Sequence, residues 1–144
     1  VKVFADTSAL FALLVRDDLM HIRAKLNFEY FARNNIQLMT SSYVLLETLT
    51  LLQRRVGIDS ASDFDRKIVP ILEVVWVDEI WHHLAMQRLQ IEKSRRVSLT
   101  DCLSFEIMEK RDIACAFTFD KRFTERGFEI AEFNDLNSGR TNPE

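Results

Sequence analysis

The chain has 144 residues, 47% of them hydrophobic, enough for one full core without disulfide or metal staples. Its formal charge of −3 does not announce a nucleic-acid binder, but a basic rim around an acidic cleft is compatible with so small a net value. Cys102 and Cys115 fall in apolar helix and strand patterns, so a reducing, cytoplasmic setting is expected rather than a disulfide framework.

Lys2–Ala5 reads as a buried strand that ends on the carboxylate of Asp6. A helix is expected over Ser8–Val15; its apolar run is far shorter than the roughly 20 residues that span a bilayer, and no charged stretch precedes it as in a signal peptide. The next helix, Leu19–Asn34, carries one stripe of Leu19, Ile22, Leu26 and Tyr30 and another of Met20, Ala24, Phe28 and Phe31. One stripe can meet the core; Met20, Phe28 and Phe31 are expected in or beside a protein interface. Strands follow at Ile36–Thr40, Glu73–Val77, Ile113–Phe119 and Phe128–Ala131, and helices at Ser42–Val56, Ser60–Leu72, Glu79–Lys93 and Thr100–Lys110. From Asn134 onward the chain is polar enough to fray. Alternation of this kind predicts a single α/β domain over residues 1–144, a parallel sheet with helix layers on both faces.

With three glycines in the chain there is no G-x-G-x-x-G for a dinucleotide and no phosphate loop of the G-x-x-x-x-G-K-[ST] type. Asp6 is followed by Thr7 and Ser8, so the D-x-D of a phosphoaspartate hydrolase is missing as well. His82 and His83 are neighbours that cannot share a helix face, and Trp76 and Trp81 are expected in the core or an interface.

Four acids stand out. Asp6 and Asp120 each end a buried strand, Asp101 opens a helix at S-L-T-D-C-L-S-F, and Glu47 lies within Y-V-L-L-E-T-L-T-L-L. Each has a structural explanation: Asp6 can cap a helix, Asp101 can complete a capping box with Ser98, Asp120 can shape a turn, and Glu47 can form a surface ion pair. Together they argue for more. Ligands of open α/β sheets bind outside the carboxyl ends of strands, where strand order reverses, and that edge is where Asp6 and Asp120 fall. Acids gathered there make a site for hard divalent cations, and so for phosphodiester hydrolysis.

Through F-A-D-T-S-A-L at Asp6, L-L-E-T-L at Glu47, S-L-T-D-C-L-S-F at Asp101 and T-F-D-K-R-F at Asp120, the chain resembles a PIN domain, and within that family the small VapC-type ribonuclease toxins. The resemblance covers nearly the whole length. It implies a five-stranded sheet of order 3-2-1-4-5, Mg²⁺ or Mn²⁺ as cofactor, an RNA substrate, a homodimer and a neutralising antitoxin. The site expected has Asp6, Asp101 and Asp120 holding the ion directly or through water. Glu47 serves as ligand or water-orienting base, and Ser8 and Thr118 steady metal waters or a carboxylate. Arg95, Arg96, Lys121 and Arg122 are candidates for phosphate contacts, or else solvated surface charge. Some relatives carry a further acid near the last motif, where this chain has Lys121 and Arg122. Two rival readings stand beside the toxin: a PIN-type nuclease of RNA processing or DNA repair, and a binding module whose acids serve only as caps.

Overall fold

The computed structural model describes residues 1–132, so the polar tail expected from Asn134 lies outside the described residues. Strands β1 (Lys2–Ala5), β2 (Gln37–Ser41), β3 (Glu73–Val75), β4 (Cys115–Phe117) and β5 (Glu129–Ile130) form a sheet of order β3-β2-β1-β4-β5 with every pair parallel. Val3, Phe4 and Ala5 of β1 are all buried, as a central parallel strand covered on both faces requires.

Connections between parallel strands cross right-handedly, so the direction of travel along the sheet decides which face each helix covers. From β1 to β2 the chain passes through α1 (Thr7–Leu14) and α2 (His21–Arg33), and from β2 to β3 through α3 (Ser42–Arg55) and α4 (Ile58–Asp63). It then doubles back past β1 to β4 through α5 (Glu79–Glu92) and α6 (Leu99–Lys110), and reaches β5 through α7 (Lys121–Glu125). The reversal puts α1–α4 on one face and α5–α7 on the other. It opens a crevice between β1 and β4, at their carboxyl ends. The layers and strand order implied by the resemblance are those observed.

Local chemistry places the ends of the helices. Ser41 Oγ accepts the Val44 N–H at 3.1 Å to start α3, and the Asp78 carboxylate accepts the Trp81 N–H at 2.9 Å to start α5. The helix expected over Ser60–Leu72 is broken: α4 passes into a π turn at Phe64–Ile68 and a 3-10 turn at Val69–Ile71. Pro70 has no N–H to continue the ladder, and its ring crowds the preceding turn. The last two strands are shorter than their apolar runs, because Ile113 and Phe128 enter the core from the loops before β4 and β5. Helix α7, too short to show a period of its own, was not expected from the sequence.

Six phenylalanines anchor the interior: Phe4, Phe31, Phe64, Phe105, Phe117 and Phe123. Phe31 meets Phe117 edge-on at 5.2 Å between ring centres, so the expectation that Phe31 lies in or beside a protein interface is overturned. Phe31 is core, and Met20 and Phe28 are half-buried against it, whereas Leu19 and Ile22 of the other stripe are exposed. Trp76 is also exposed rather than in the core, and Trp81 lies half-buried under the Arg111 guanidinium. His21 hydrogen-bonds the Ala12 carbonyl across the α1–α2 turn. Both cysteines are free, and among the described residues no helix is long and apolar enough to cross a membrane.

Candidate active site

Parallel pairing of β1 with β4 runs one residue past the strands, since the Asp6 N–H donates to the Phe117 carbonyl at 3.0 Å. This register sets Asp6 beside Thr118. Asp6 occupies the capping position of α1, but its side chain caps nothing. Instead its Oδ2 accepts from Thr118 Oγ1 at 2.9 Å and from Ser8 Oγ at 3.1 Å. The two hydroxyls also hold the next turn: Ser8 Oγ accepts the Phe119 N–H and Thr118 Oγ1 accepts the Asp120 N–H. Ser8 and Thr118 thus do what was expected of them toward a carboxylate, and they fix the Asp120 loop as well.

Asp6 is 4% exposed, and its pKa is pushed up from 3.8 to about 6. Burial drives the rise, the Thr118 hydrogen bond opposes it, and the charge of Asp101 adds to it. A carboxylate so placed gains from any cation that reaches it.

Asp101 lies in the first turn of α6. The capping box read from the sequence is formed: Ser98 Oγ accepts the Asp101 N–H at 3.1 Å, and Asp101 Oδ2 accepts the Ser98 N–H at 3.0 Å. Capping engages Oδ2, the same oxygen that faces the Arg122 guanidinium.

Asp120 caps α7 through the Arg122 N–H at 2.9 Å, and it is also gripped by the Arg122 guanidinium. Nε lies 3.0 and 2.9 Å from the two carboxylate oxygens, and Nη2 lies 2.6 Å from Oδ2. Burial raises the Asp120 pKa, but the Arg122 hydrogen bonds and charge outweigh it and leave the group below its ordinary value. Arg122 Nη1 reaches to 4.0 Å from Asp101 Oδ2. Hydrogen bonding to Asp120, with the charges of Asp120, Asp101 and Asp6, raises the Arg122 pKa against burial. Helix α7 is anchored from behind, where Arg126 pairs with Glu92 of α5 at 2.7 Å and donates to the Arg122 carbonyl.

Glu47 is half-buried on α3, and among the described residues it has neither a hydrogen bond nor an ion pair. Its neighbour Thr48 hydrogen-bonds Thr7 at 3.4 Å, which brings this turn of α3 against the start of α1. Arg95 and Arg96 are exposed on the loop leading to Ser98, and Lys121 is exposed at the start of α7. Arg122, read from the sequence as a phosphate contact, is engaged with Asp120, because a fork of donors two residues past a capping carboxylate folds back onto it. That engagement is the part of the site the sequence did not reveal.

The described residues contain no group of three or more His, Cys, Asp or Glu already arranged to hold an ion. The chemistry of the crevice nevertheless fits a hard divalent cation. Its donors are carboxylate and hydroxyl oxygens, and a positive group, Arg122, already pairs with Asp120 at 2.6 Å and stands 4.0 Å from Asp101.

The PIN domain family pattern matches residues 3–129. The chain is 35% identical over 129 residues to the 23S rRNA-specific endonuclease VapC20 of Mycobacterium tuberculosis, in two strains; the match covers 88% of this chain and 95% of the relative. The crystal structure of M. tuberculosis VapC20, described as a Sarcin-Ricin loop cleaving toxin, superposes with a TM-score of 0.79 at 33% identity. It covers 92% of this chain and 98% of that one. VapBC2 from Rickettsia felis, bound to a DNA fragment from their promoter, shares the fold with a TM-score of 0.64 at 15% identity, over 91% and 98% of the two chains. PIN domains are nucleases that generally use divalent metal ions. With the sheet order, the aspartate-lined crevice at its switch point and a sequence match running from the first strand to the last, the chain belongs to the PIN domain family.

Proposed function

We propose that this chain is a Mg²⁺- or Mn²⁺-dependent endoribonuclease, the toxin of a toxin–antitoxin pair. It is a single nuclease domain over residues 1–144, acting in the cytoplasm as a homodimer and restrained by a cognate antitoxin. The observation that carries the reading is that Asp6, Asp101 and Asp120, from the end of β1, the sixth helix and the loop after β4, meet at the β1/β4 edge: Thr118 joins Asp6 to the Asp120 loop, and Arg122 pairs with Asp120 and reaches toward Asp101. Two helix caps with no common task, Asp101 and Asp120, have no reason to share a counter-ion, and Asp6 beside them caps nothing. The substrate class is supported by the mycobacterial relatives, named for cleavage of 23S rRNA and of the sarcin–ricin loop. A structured rRNA loop is the substrate proposed here.

Asp6, Asp101 and Asp120 would hold the ion, with Glu47 as a further ligand or as the base that orients a water. When bound there, a divalent ion supplies a water of lowered pKa and positive charge against the phosphate oxygens. The chain's own groups do the positioning. Ser8 and Thr118 hold the Asp6 carboxylate through Oδ2. The Ser98 N–H fixes Asp101 in the same way. Arg95, Arg96 and Lys121, exposed beside the starts of α6 and α7, would be the contacts to RNA phosphates.

The test is cleavage of a radiolabelled rRNA stem-loop by the purified protein with EDTA, Mg²⁺ or Mn²⁺. Activity that appears only with the divalent ion, and is lost in Asp6→Asn, Asp101→Asn and Asp120→Asn, supports the reading. Undiminished cleavage in EDTA would refute it.

A further inference from the structure

Both carboxylate oxygens of Asp120 are engaged by Arg122, through its backbone N–H, a shared Nε–H and Nη2. Oδ1 accepts from the Arg122 N–H at 2.9 Å and Nε at 3.0 Å, while Oδ2 accepts from Nε at 2.9 Å and Nη2 at 2.6 Å. The positive fork lies across both oxygens, so an ion bound to Asp120 on that side must first displace the guanidinium. The same guanidinium stands 4.0 Å from Asp101 and is raised in pKa by the charge of Asp6 as well. By contact it therefore serves two of the three aspartates, Asp120 and Asp101.

We propose that Arg122 is an intramolecular substitute for the metal: it neutralises the aspartates in the metal-free enzyme, and on metal binding it turns from Asp120 to the substrate phosphate. This inference rests on the metal-site reading proposed above. The backbone favours such a swing over a shift of the helix. The Arg122 carbonyl is held by Arg126, which is clasped by Glu92, so the main chain is pinned while the Arg122 side chain stays about one-third exposed. A long side chain with one fixed end and an open path can exchange partners without moving α7. Arginine suits both partners, because its planar fork matches a carboxylate and a phosphate equally well. The pairing also offsets part of the repulsion within the site, since like charges left unbalanced would resist joint ionisation.

The test uses Mn²⁺ as the probe and needs no RNA for its first arm. Arg122→Gln removes the positive charge but keeps a polar side chain; Arg122→Lys keeps the charge but not the fork. Titration calorimetry or Mn²⁺ electron paramagnetic resonance should show Arg122→Gln binding Mn²⁺ about tenfold more tightly than the parent, with Arg122→Lys in between. At saturating Mn²⁺, single-turnover RNA cleavage by Arg122→Gln should fall by about 100-fold, again with Lys intermediate. Both variants, folded by circular dichroism, should melt earlier than the parent in EDTA. Arg122→Gln binding Mn²⁺ no more tightly than the parent overturns the substitution; tighter binding with full cleavage overturns the phosphate role. Absence of Mn²⁺ binding in both parent and Arg122→Gln is a different result, and overturns the metal site itself.

Discussion

Replacing Asp6 by Asn removes a charge from a carboxylate that is 4% exposed and keeps its shape. Both hydrogen bonds to this group converge on one oxygen, Oδ2, so an Asn carbonyl oxygen placed there can accept from Ser8 and Thr118 alike. The pKa of Asp6 is raised from 3.8 to about 6, mainly by burial, so the folded protein without metal resists its ionisation. Below the lower value the proton is on in both states and the group is neutral in its effect. As pH rises toward the upper value, only the unfolded chain has released it, and stability falls. The full loss, reached above neutrality, is about 3 kcal/mol at 1.36 kcal/mol per pKa unit. Weaker hydrogen bonding to a neutral amide takes back about 1 kcal/mol, leaving Asp6→Asn about 1–2 kcal/mol more stable than the parent. For a chain of this size that is a rise of about 3–6 °C in melting temperature. Thermal unfolding in EDTA at about pH 7.5 and about pH 4 checks both size and sign, because the advantage should shrink below about 1 kcal/mol at the acid end. Millimolar Mg²⁺ should raise the parent and not the variant, since an ion that binds only the folded state stabilises by mass action. A variant less stable than the parent at neutral pH, together with a parent indifferent to Mg²⁺ and Mn²⁺, would refute the reasoning.

Asp6→Asn, Glu47→Gln, Asp101→Asn and Asp120→Asn should each nearly abolish metal-dependent cleavage, with double variants little worse than singles, because groups acting on one ion fail together. Full activity in any two of them, in the single-turnover assay, would mean the constellation is wrong. Thr118→Val keeps the volume but removes a donor to Asp6 and the acceptor of the Asp120 N–H; urea unfolding should show a loss of about 1–3 kcal/mol, with cleavage reaching its plateau at higher pH than in the parent. Ser98→Ala removes the Oγ half of the capping box and should cost about 1 kcal/mol by the same measurement, while Mn²⁺ binding should change little, because the Ser98 N–H that holds the Asp101 carboxylate remains. Phe31→Ala should destabilise by about 3–5 kcal/mol, and Ile22→Ala on the opposite face of α2 by less than about 0.5 kcal/mol. Comparable losses at the two positions would mean that α2 presents the other face to the core.

The aspartates were legible because each carries a local sign: an apolar strand ending in a carboxylate, or a Ser three residues ahead of an Asp before an apolar run. The strands were legible for the same reason, and the resemblance supplied their order. What eluded the sequence depends on contacts between distant segments. Both stripes of α2 are apolar enough to be core, and only the packing of Phe31 on Phe117 decides between them. Helix α7 has five residues, shorter than the two turns that a periodic pattern needs, so neither the helix nor the capping role of Asp120 within it was visible. Arg122 read as a free cation because the sequence shows a charge but not a rotamer. Glu47 stood out by its apolar neighbours, yet the helix leaves it half-buried, so burial alone does not account for an acid at that position.

The hydrogen bond from Thr118 to Asp6 joins residues 112 positions apart, and β1 pairs directly with β4 in the middle of the sheet. During synthesis the first strand therefore waits for nearly the whole chain before its central neighbour exists. Contacts of such long range form late, after the entropy of closing the intervening loop has been overcome. Until then Asp6 has neither Thr118 nor the Asp120 loop beside it. A growing chain can assemble β1, β2 and β3 with their helices and still lack a cleft. An RNA-cutting enzyme made on a ribosome, itself built of RNA, thus acquires its cutting edge only as its last strands arrive.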